Sequence, residues 1–229
     1  MNIAIIGTGA IGSTLIRRLA AAGHHVTMAN SRGPGSLTDL ATETGATPRA
    51  LPEVAVDADV VILSIPPKAV AQLAPSLLDS ARPHAFVIDT GNYVPHMRDG
   101  VIKALEDGTV ESRWTEKKVG RPVVKVFNTI KAVDLRELNS ATGSAGRVAL
   151  PIAGDDIAAK AVARRLVDEV GFDSVDYGTL DESWRQQPGT PVYTANLTAP
   201  DARKALASAK QEHTHAWRAR MVSATSHSQ

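Results

Sequence analysis

The chain of 229 residues contains no cysteine. That absence excludes disulfides, thiolate zinc sites, iron–sulfur ligation and cysteine nucleophiles together. Aromatic side chains are scarce, with three each of Phe, Trp and Tyr. A planar ligand would therefore stack mainly on aliphatic or proline surfaces. Excess charge is also missing: 25 Lys+Arg against 24 Asp+Glu leave a net charge of +1. A nucleic-acid-coating surface normally carries a strong basic excess. No apolar run approaches the roughly 20 residues that a membrane span requires. The opening Met1-Asn2-Ile3-Ala4 shows neither a basic n-region nor a cleavage pattern. The expectation is a cytoplasmic globular protein with no nucleic-acid or membrane partner. At roughly 100–200 residues per domain, the length suits one large domain or one and a half.

Short β-branched runs alternate with longer Ala/Leu/Arg stretches. Ile3–Ile6 is an apolar run ended by Gly7 and reads as a buried strand. Ala10–Ala22 places Ile11, Leu15, Ile16 and Leu19 on one face before Gly23, which predicts a helix. Further strands are expected at 26–29, 47–51, 60–63, 86–89 and 123–127, with helices at 37–44, 68–78 and 132–138. Residues 97–120, which carry Trp114, read as a loop and a surface helix. Strand–helix alternation with apolar strands signals a parallel sheet covered on both faces. The Ser/Gly/Ala-rich stretch 139–147 is the best internal boundary. It divides the chain into residues 1–142 and a smaller α/β lobe, residues 143–229. That lobe contains a strand at 148–153, a helix at 157–170, a strand at 174–177 and a helix at 200–209. The polar tail 223–229 is expected to be disordered.

Gly7-Thr8-Gly9-Ala10-Ile11-Gly12 matches G-x-G-x-x-G. The pattern is weak alone, but here a strand precedes it and a helix opens inside it, which is the context of a dinucleotide-binding loop. Gly7 permits the tight turn, Gly9 lets a pyrophosphate approach the backbone, and Gly12 lets helix and strand pack closely. The helix N-terminus supplies N–H groups and a positive dipole end. The fold class that follows is a Rossmann-type, doubly wound, mostly parallel sheet with a small C-terminal α/β extension. NAD-binding chains carry Asp or Glu at the end of the second strand. Here Asn30-Ser31-Arg32 stands there, and no acid appears before Asp39. A carboxylate would repel a 2′-phosphate, whereas Arg32 pairs with one and Ser31 donates a hydrogen bond. The residues thus favour NADP(H) over NAD.

With these motifs in place, the sequence resembles the NADP-dependent oxidoreductases that use the deazaflavin coenzyme F-420, relatives of the NADPH-binding domain of STEAP metalloreductases. The resemblance rests on Gly7–Gly12, Asn30-Ser31-Arg32, Ser64-Ile65-Pro66 and Val124-Lys125-Val126-Phe127-Asn128-Thr129-Ile130. It continues through Ala153-Gly154-Asp155-Asp156, Gly171-Phe172 and Val175-Asp176-Tyr177-Gly178. It implies pyrophosphate contacts at Thr8, Gly9, Ala10 and Ile11, and a 2′-phosphate site at Ser31 and Arg32. Ser64, Pro67 and Asn92 match positions beside the ribose and nicotinamide, and Ala132 matches a backbone contact near the nicotinamide. It also implies a deazaflavin or flavin as co-substrate, and a homodimer. Two places depart from the family pattern: Lys131, where an acceptor-lining residue stands, and the segment after Leu180. The stretch Ser183-Trp184-Arg185-Gln186-Gln187-Pro188-Gly189 looks like that of a bacterial subgroup with unassigned acceptors.

Hydride transfer between stacked rings needs orientation more than acid–base chemistry, and no nucleophile–base constellation is visible. Asn128 and Thr129 are candidates to hydrogen-bond a small-molecule redox acceptor, with His84 and His96 as weaker general-acid candidates. Asp155-Asp156 invites a metal reading, but Asp at a helix start is ordinary capping. His213-x-His215 lacks a third ligand, so no metal site is expected. Lys68 reads as a surface lysine, and Trp184 as an anchor of the C-terminal lobe. Three functions remain open: an NADPH-dependent reductase of a deazaflavin, flavin, ferric or quinone acceptor; a hydroxyacid or imine-type reductase; and an NADPH-binding redox sensor without catalysis.

Overall fold

Ile3-Ala4-Ile5-Ile6 offers no polar side chain, and β1 (Asn2–Ile6) lies at the middle of the sheet, buried from Ile3 to Ile6. The computed structural model of the chain describes residues 1–221 in full and carries the last helix on to Ser226. β1 pairs in parallel with β2 (His25–Ala29) on one side and β4 (Val60–Leu63) on the other. β3 (Thr47–Pro48) adds an edge beyond β2, and β5 (Phe86–Asp89) and β6 (Val123–Lys125) extend the other side. The strand order β3-β2-β1-β4-β5-β6 is the order of a dinucleotide-binding doubly wound sheet.

Two further strands follow. β7 (Ala149–Gly154) pairs antiparallel with β6, and β8 (Asp173–Asp176) pairs in parallel with β7, giving eight strands. The segment from 143 onward therefore continues the same sheet, and its side chains enter the same core. Leu150, Ile152 and Phe172 pack in one cluster with Ile3, Leu15 and Val26.

α1 (Ala10–Ala21) lays its buried Leu15, Ile16 and Leu19 on one face of the sheet, beside α6 (Ala132–Glu137) and α7 (Ile157–Val170). Each such side chain contributes about 1.5–3 kcal/mol by leaving water. The opposite face is covered by α2's neighbours in the fold, not by α2 (Thr38–Thr44) itself: α3 (Pro67–Val70), the 3-10 turn Pro75–Leu78 and α5 (Glu111–Val119), with Trp114 inside. A π-type turn at Pro95–Asp99 and α4 (Lys103–Glu106) connect β5 to α5. After β8 come a 3-10 segment at Leu180–Gln186, α8 (Ala199–Ala207) and α9 (Gln211–Ser226).

The expected helix at 68–78 is interrupted. Pro75 has no N–H to give and disfavours helical backbone at Ala74, which is extended at φ −62°, ψ 136°. The 47–51 strand shortens to two residues, Thr47 and Pro48, because Pro48 has no N–H to give the ladder and Pro52 sits in the 3-10 turn Leu51–Glu53 that follows. α9 is the larger surprise, since it takes in residues 223–226 of the tail expected to be disordered. The rest of that tail, 227–229, lies outside the described residues.

Candidate active site

The loop after β1 is built by its glycines. Gly7 sits at φ +101°, and a Cβ there would lie 2.2 Å from the Ser64 carbonyl oxygen. Its N–H donates to the Ala29 carbonyl at 2.8 Å. A Cβ on Gly12 would lie 1.9 Å from the Gly7 carbonyl oxygen, so α1 abuts the turn that precedes it. Gly9 differs: a Cβ there would meet nothing within 4 Å. Gly9 also caps α1 without a side-chain bond, and the first-turn N–H groups have no intrahelical partners. The loop thus leaves an open, N–H-lined place for an anion.

A groove of about 570 Å³ runs over this loop, lined by Gly7, Thr8 and Gly9, by Asn30, Ser31 and Arg32, and by Ser64, Ile65 and Pro66. Asn30 holds the β2 end of it. Its side-chain amide donates to Thr8 Oγ1 at 3.1 Å and to Ser36 Oγ at 3.0 Å, while its Oδ1 accepts the Arg32 N–H at 2.9 Å. Ser31 and Arg32 are exposed, and no partner holds the Arg32 guanidinium among the described residues. The sequence pattern brought Ser31 and Arg32 to the site but did not distinguish Asn30, whose role is to fix the turn that presents them.

A second cluster lies at the next strand ends. A Cβ on Gly91 would lie 3.5 Å from the Ile65 carbonyl and 3.9 Å from Pro67 Cδ, so the turn after β5 packs on the Ser64–Pro67 wall. Asn92 and Asn128 face each other there, with Asn92 Nδ2 donating to the Asn128 carbonyl at 2.8 Å and Asn128 Nδ2 to Asn92 Oδ1 at 3.1 Å. Asn128 Nδ2 also donates to the Gln186 carbonyl at 2.7 Å, and Gln186 Nε2 donates to Asn128 Oδ1 at 3.1 Å. The Asn128 amide, 3% exposed, is therefore fully engaged. It positions Asn92, which keeps one N–H unbonded among the described residues. Thr129 is buried, and its carbonyl accepts the Thr194 N–H at 2.8 Å. Phe127, immediately before Asn128, has φ +66°. A buried aromatic in the left-handed region is strained backbone, and here it aims Asn128. Ala132 opens α6, with the exposed Lys131 as its N-cap.

Buried charge supports this cluster. Lys125 Nζ lies 3.1 Å from Asp89 Oδ2, with the two side chains 1% and 5% exposed. Lys125 also donates to the Gly91 carbonyl. Glu111 accepts the Tyr93 N–H at 3.0 Å and pairs with Arg218 of α9 at 3.0 Å. Burial pushes the Glu111 carboxyl above its usual range, against the pull of Lys125 and Arg218. Arg98 donates to the Asn92 carbonyl. Charged side chains and Gln186 gave no periodic signal in the sequence, although Gln186 stands in the stretch singled out above.

Other candidates lie elsewhere. His84 pairs with Asp59 at 3.3 Å, ahead of β4 and so at the amino ends of the strands, away from the site. His96 is exposed in the π-type turn without a hydrogen-bond partner among the described residues. Asp156 caps α7 through the N–H groups of Ala158 and Ala159 at 2.8 and 3.0 Å. Asp155 instead bonds Arg113 and the Leu180 N–H. His213 accepts a backbone N–H from Lys210, and no group of His, Asp and Glu suited to a metal occurs among the described residues. Lys68 is exposed, and Trp184 stacks under Arg185 at 4.4 Å. No helix among the described residues is long and apolar enough to cross a membrane.

The fold and the loop define a Rossmann-type, NADP-linked class of reductases. The family model described as "NADP oxidoreductase coenzyme F420-dependent" matches residues 2–93, the part of the chain that holds β1 to β5 and the glycine loop. The chain is 32% identical to the hypothetical protein SMa0349 from Sinorhizobium meliloti, covering 86% of this chain and 95% of that one, with a TM-score of 0.74. A provisionally assigned F420-dependent NADP-reductase from Arthrobacter sp. FB24 shares the fold at 24% identity and a TM-score of 0.62, over 78% of this chain and 85% of that one. The Escherichia coli (strain K12) protein YjhV is 46% identical over 69 residues, which are 30% of this chain. The match spans half the length of that relative.

Proposed function

We propose that the protein is an NADPH-dependent reductase that delivers hydride to a planar, conjugated acceptor of the deazaflavin or flavin type. The observation that carries this reading is the pairing of an open Gly9 with an unpaired Arg32 across one groove. Bound NADPH would supply the hydride. The chain's own residues bind and orient. The N–H groups of Ala10 and Ile11, in the first turn of α1, meet the pyrophosphate. Arg32 and Ser31 meet the 2′-phosphate, a charge-assisted contact. Ile65, Pro66 and Pro67 form an aliphatic wall, and Asn92, fixed by Asn128 and Arg98, presents an amide at the nicotinamide end. The scarcity of aromatics is consistent with an acceptor that stacks on the nicotinamide and on proline rather than on side-chain rings.

The residues after 143 bear on the imine- or hydroxyacid-type reading. That class requires a long helical second domain, whereas here they contribute β7 and β8 to the sheet. The test is NADPH oxidation by nucleotide-stripped protein with a panel of deazaflavin, FMN, ferric chelate and quinone. Acceleration by deazaflavin or FMN is expected. Tight NADPH binding with no accelerated acceptor would overturn the enzyme reading in favour of a sensor.

A further inference from the structure

We propose that the Tyr193 hydroxyl faces the acceptor, and donates a hydrogen bond and then its proton to the acceptor nitrogen or oxygen that gains charge as hydride arrives. This rests on the hydride-transfer reading above and adds to it the missing proton source. Three observations converge on Tyr193. First, its backbone is pinned against the site: the Tyr193 N–H donates to the Thr190 carbonyl at 3.0 Å, and the next residue, Thr194, donates to the Thr129 carbonyl at 2.8 Å. Thr194 has φ +59° and Phe127, two residues before Thr129, has φ +66°, so two of the four non-glycine residues with positive φ among the described residues lie near this contact. Such strain clusters at functional sites. Second, the ring is held from the far side by Trp217 of α9, edge-on at a centroid distance of 6.2 Å and 76°.

Third, the hydroxyl is free. It bonds none of the described residues, and the unpartnered polar atoms sealed from solvent are Ser183 Oγ, Thr214 Oγ1 and Arg218 Nε. Tyr193 itself is half-buried. Tyr93 shows the contrast: its hydroxyl donates to Glu106 at 2.7 Å and accepts the Ile102 N–H at 3.0 Å, which leaves it no role in chemistry.

The charges around Tyr193 keep its hydroxyl protonated. Burial pushes its phenol above the ordinary value, Glu111 pushes it further, and Arg98 pulls it back. Glu111 is itself paired with Arg218. The phenol therefore stays protonated at neutral pH. When its O–H bond breaks and an N–H or O–H bond forms on the acceptor, the proton and the two-electron hydride together complete one reduction. The phenolate left behind is offset by Arg98 and regains its proton from water.

The experiment uses the full chain labelled with fluorotyrosine and read by fluorine NMR. Three resonances are expected, and Tyr193→Phe, which keeps the ring and its packing on Trp217, identifies one of them. NADP+, whose nicotinamide is cationic, should displace that resonance and lower its titration midpoint by about one unit. The fragment 2′,5′-ADP, which lacks the nicotinamide, should bind and leave it in place. If NADP+ binds without moving the Tyr193 signal, or if both ligands move it equally, the proposal is overturned while the NADPH reading stands. If neither ligand binds, both fall. With an acceptor that turns over, Tyr193→Phe should lower kcat about 100-fold at unchanged KM for NADPH.

Discussion

The side-chain amides of Asn92 and Asn128 hold each other, Asn128 donating to Asn92 Oδ1 at 3.1 Å and Asn92 to the Asn128 carbonyl at 2.8 Å. Gln186 closes the set from the C-terminal segment, donating to the Lys125 carbonyl at 3.2 Å and to Asn128 Oδ1 at 3.1 Å. Residues separated by up to 94 positions in sequence therefore set one amide beyond the carboxyl ends of β5 and β6.

Gln186→Leu removes both donations and leaves two buried carbonyl-type acceptors unpaired. Each such loss costs about 1–3 kcal/mol. The fold should be destabilised in denaturant titrations, and NADPH affinity should fall while 2′,5′-ADP affinity holds. Equal loss for the two ligands would show that Gln186 supports the whole fold rather than the nicotinamide end.

Arg32→Asp separates the two nicotinamide dinucleotides. A charge-assisted hydrogen bond is worth about 1.5–3 kcal/mol, so NADPH affinity should fall about 10–150-fold. NADH affinity, measured by the same fluorescence titration, should change little. Parallel losses would contradict the 2′-phosphate role.

Gly9 and Gly12 occupy the same motif but answer to different constraints. Gly12→Ala drives a methyl to 1.9 Å from a backbone oxygen, and should destabilise the protein by about 3 kcal/mol or more. Gly9→Ala meets no protein atom within 4 Å. Its melting temperature should match that of the parent, while NADPH binding weakens at least about tenfold. Unweakened binding in Gly9→Ala would remove the pyrophosphate from this loop.

The sequence was legible where local pattern and local chemistry agree. Short apolar, β-branched runs located the strands, and the spacing of Gly7, Gly9 and Gly12 between a strand and a helix announced the loop. Ser31 and Arg32 followed from position alone. Asn30 did not stand out, because its bonds to Thr8 and Ser36 form only once the turn exists. Asn128 read as an acceptor-side donor from its place at a strand end, but its capacity is consumed by Asn92 and Gln186. The antiparallel β6–β7 pairing and the docking of α9 depend on long-range contacts. Neither the moderate apolar content of residues 211–226 nor their mixed polarity encodes a buried face.

α9 is tied to the site through Arg218, which pairs with Glu111 at 3.0 Å and lies 4.8 Å over the Tyr93 ring. The two charged side chains are 12% and 4% exposed. Arg218→Met strands a buried carboxylate and should cost about 3–5 kcal/mol. Adding Glu111→Gln should restore most of that loss, as read by a double-mutant cycle in denaturant. Additive losses would mean that the pair is not coupled.

The acid limb of stability has a different origin. Arg113 holds the Asp155 carboxyl below the usual range, against burial and with help from the Leu180 N–H. Arg147 and then Thr142 hold Asp168 low in the same way. A lowered carboxyl contributes stability that is present above its unfolded value of about 3.9 and is lost as pH falls through the folded value. Stability should therefore decline below about pH 4, and Asp155→Asn should flatten that decline. Glu111 has the opposite sign. Its folded value is raised by burial, so its contribution is complete below about pH 4.3 and is lost as pH rises through the folded value. Glu111→Gln should remove a downward slope on the alkaline side of pH 4.3 and leave the acid limb intact. Urea midpoints across pH for the two single variants would show the two slopes moving independently. A common response would assign both to global charge rather than to these carboxylates.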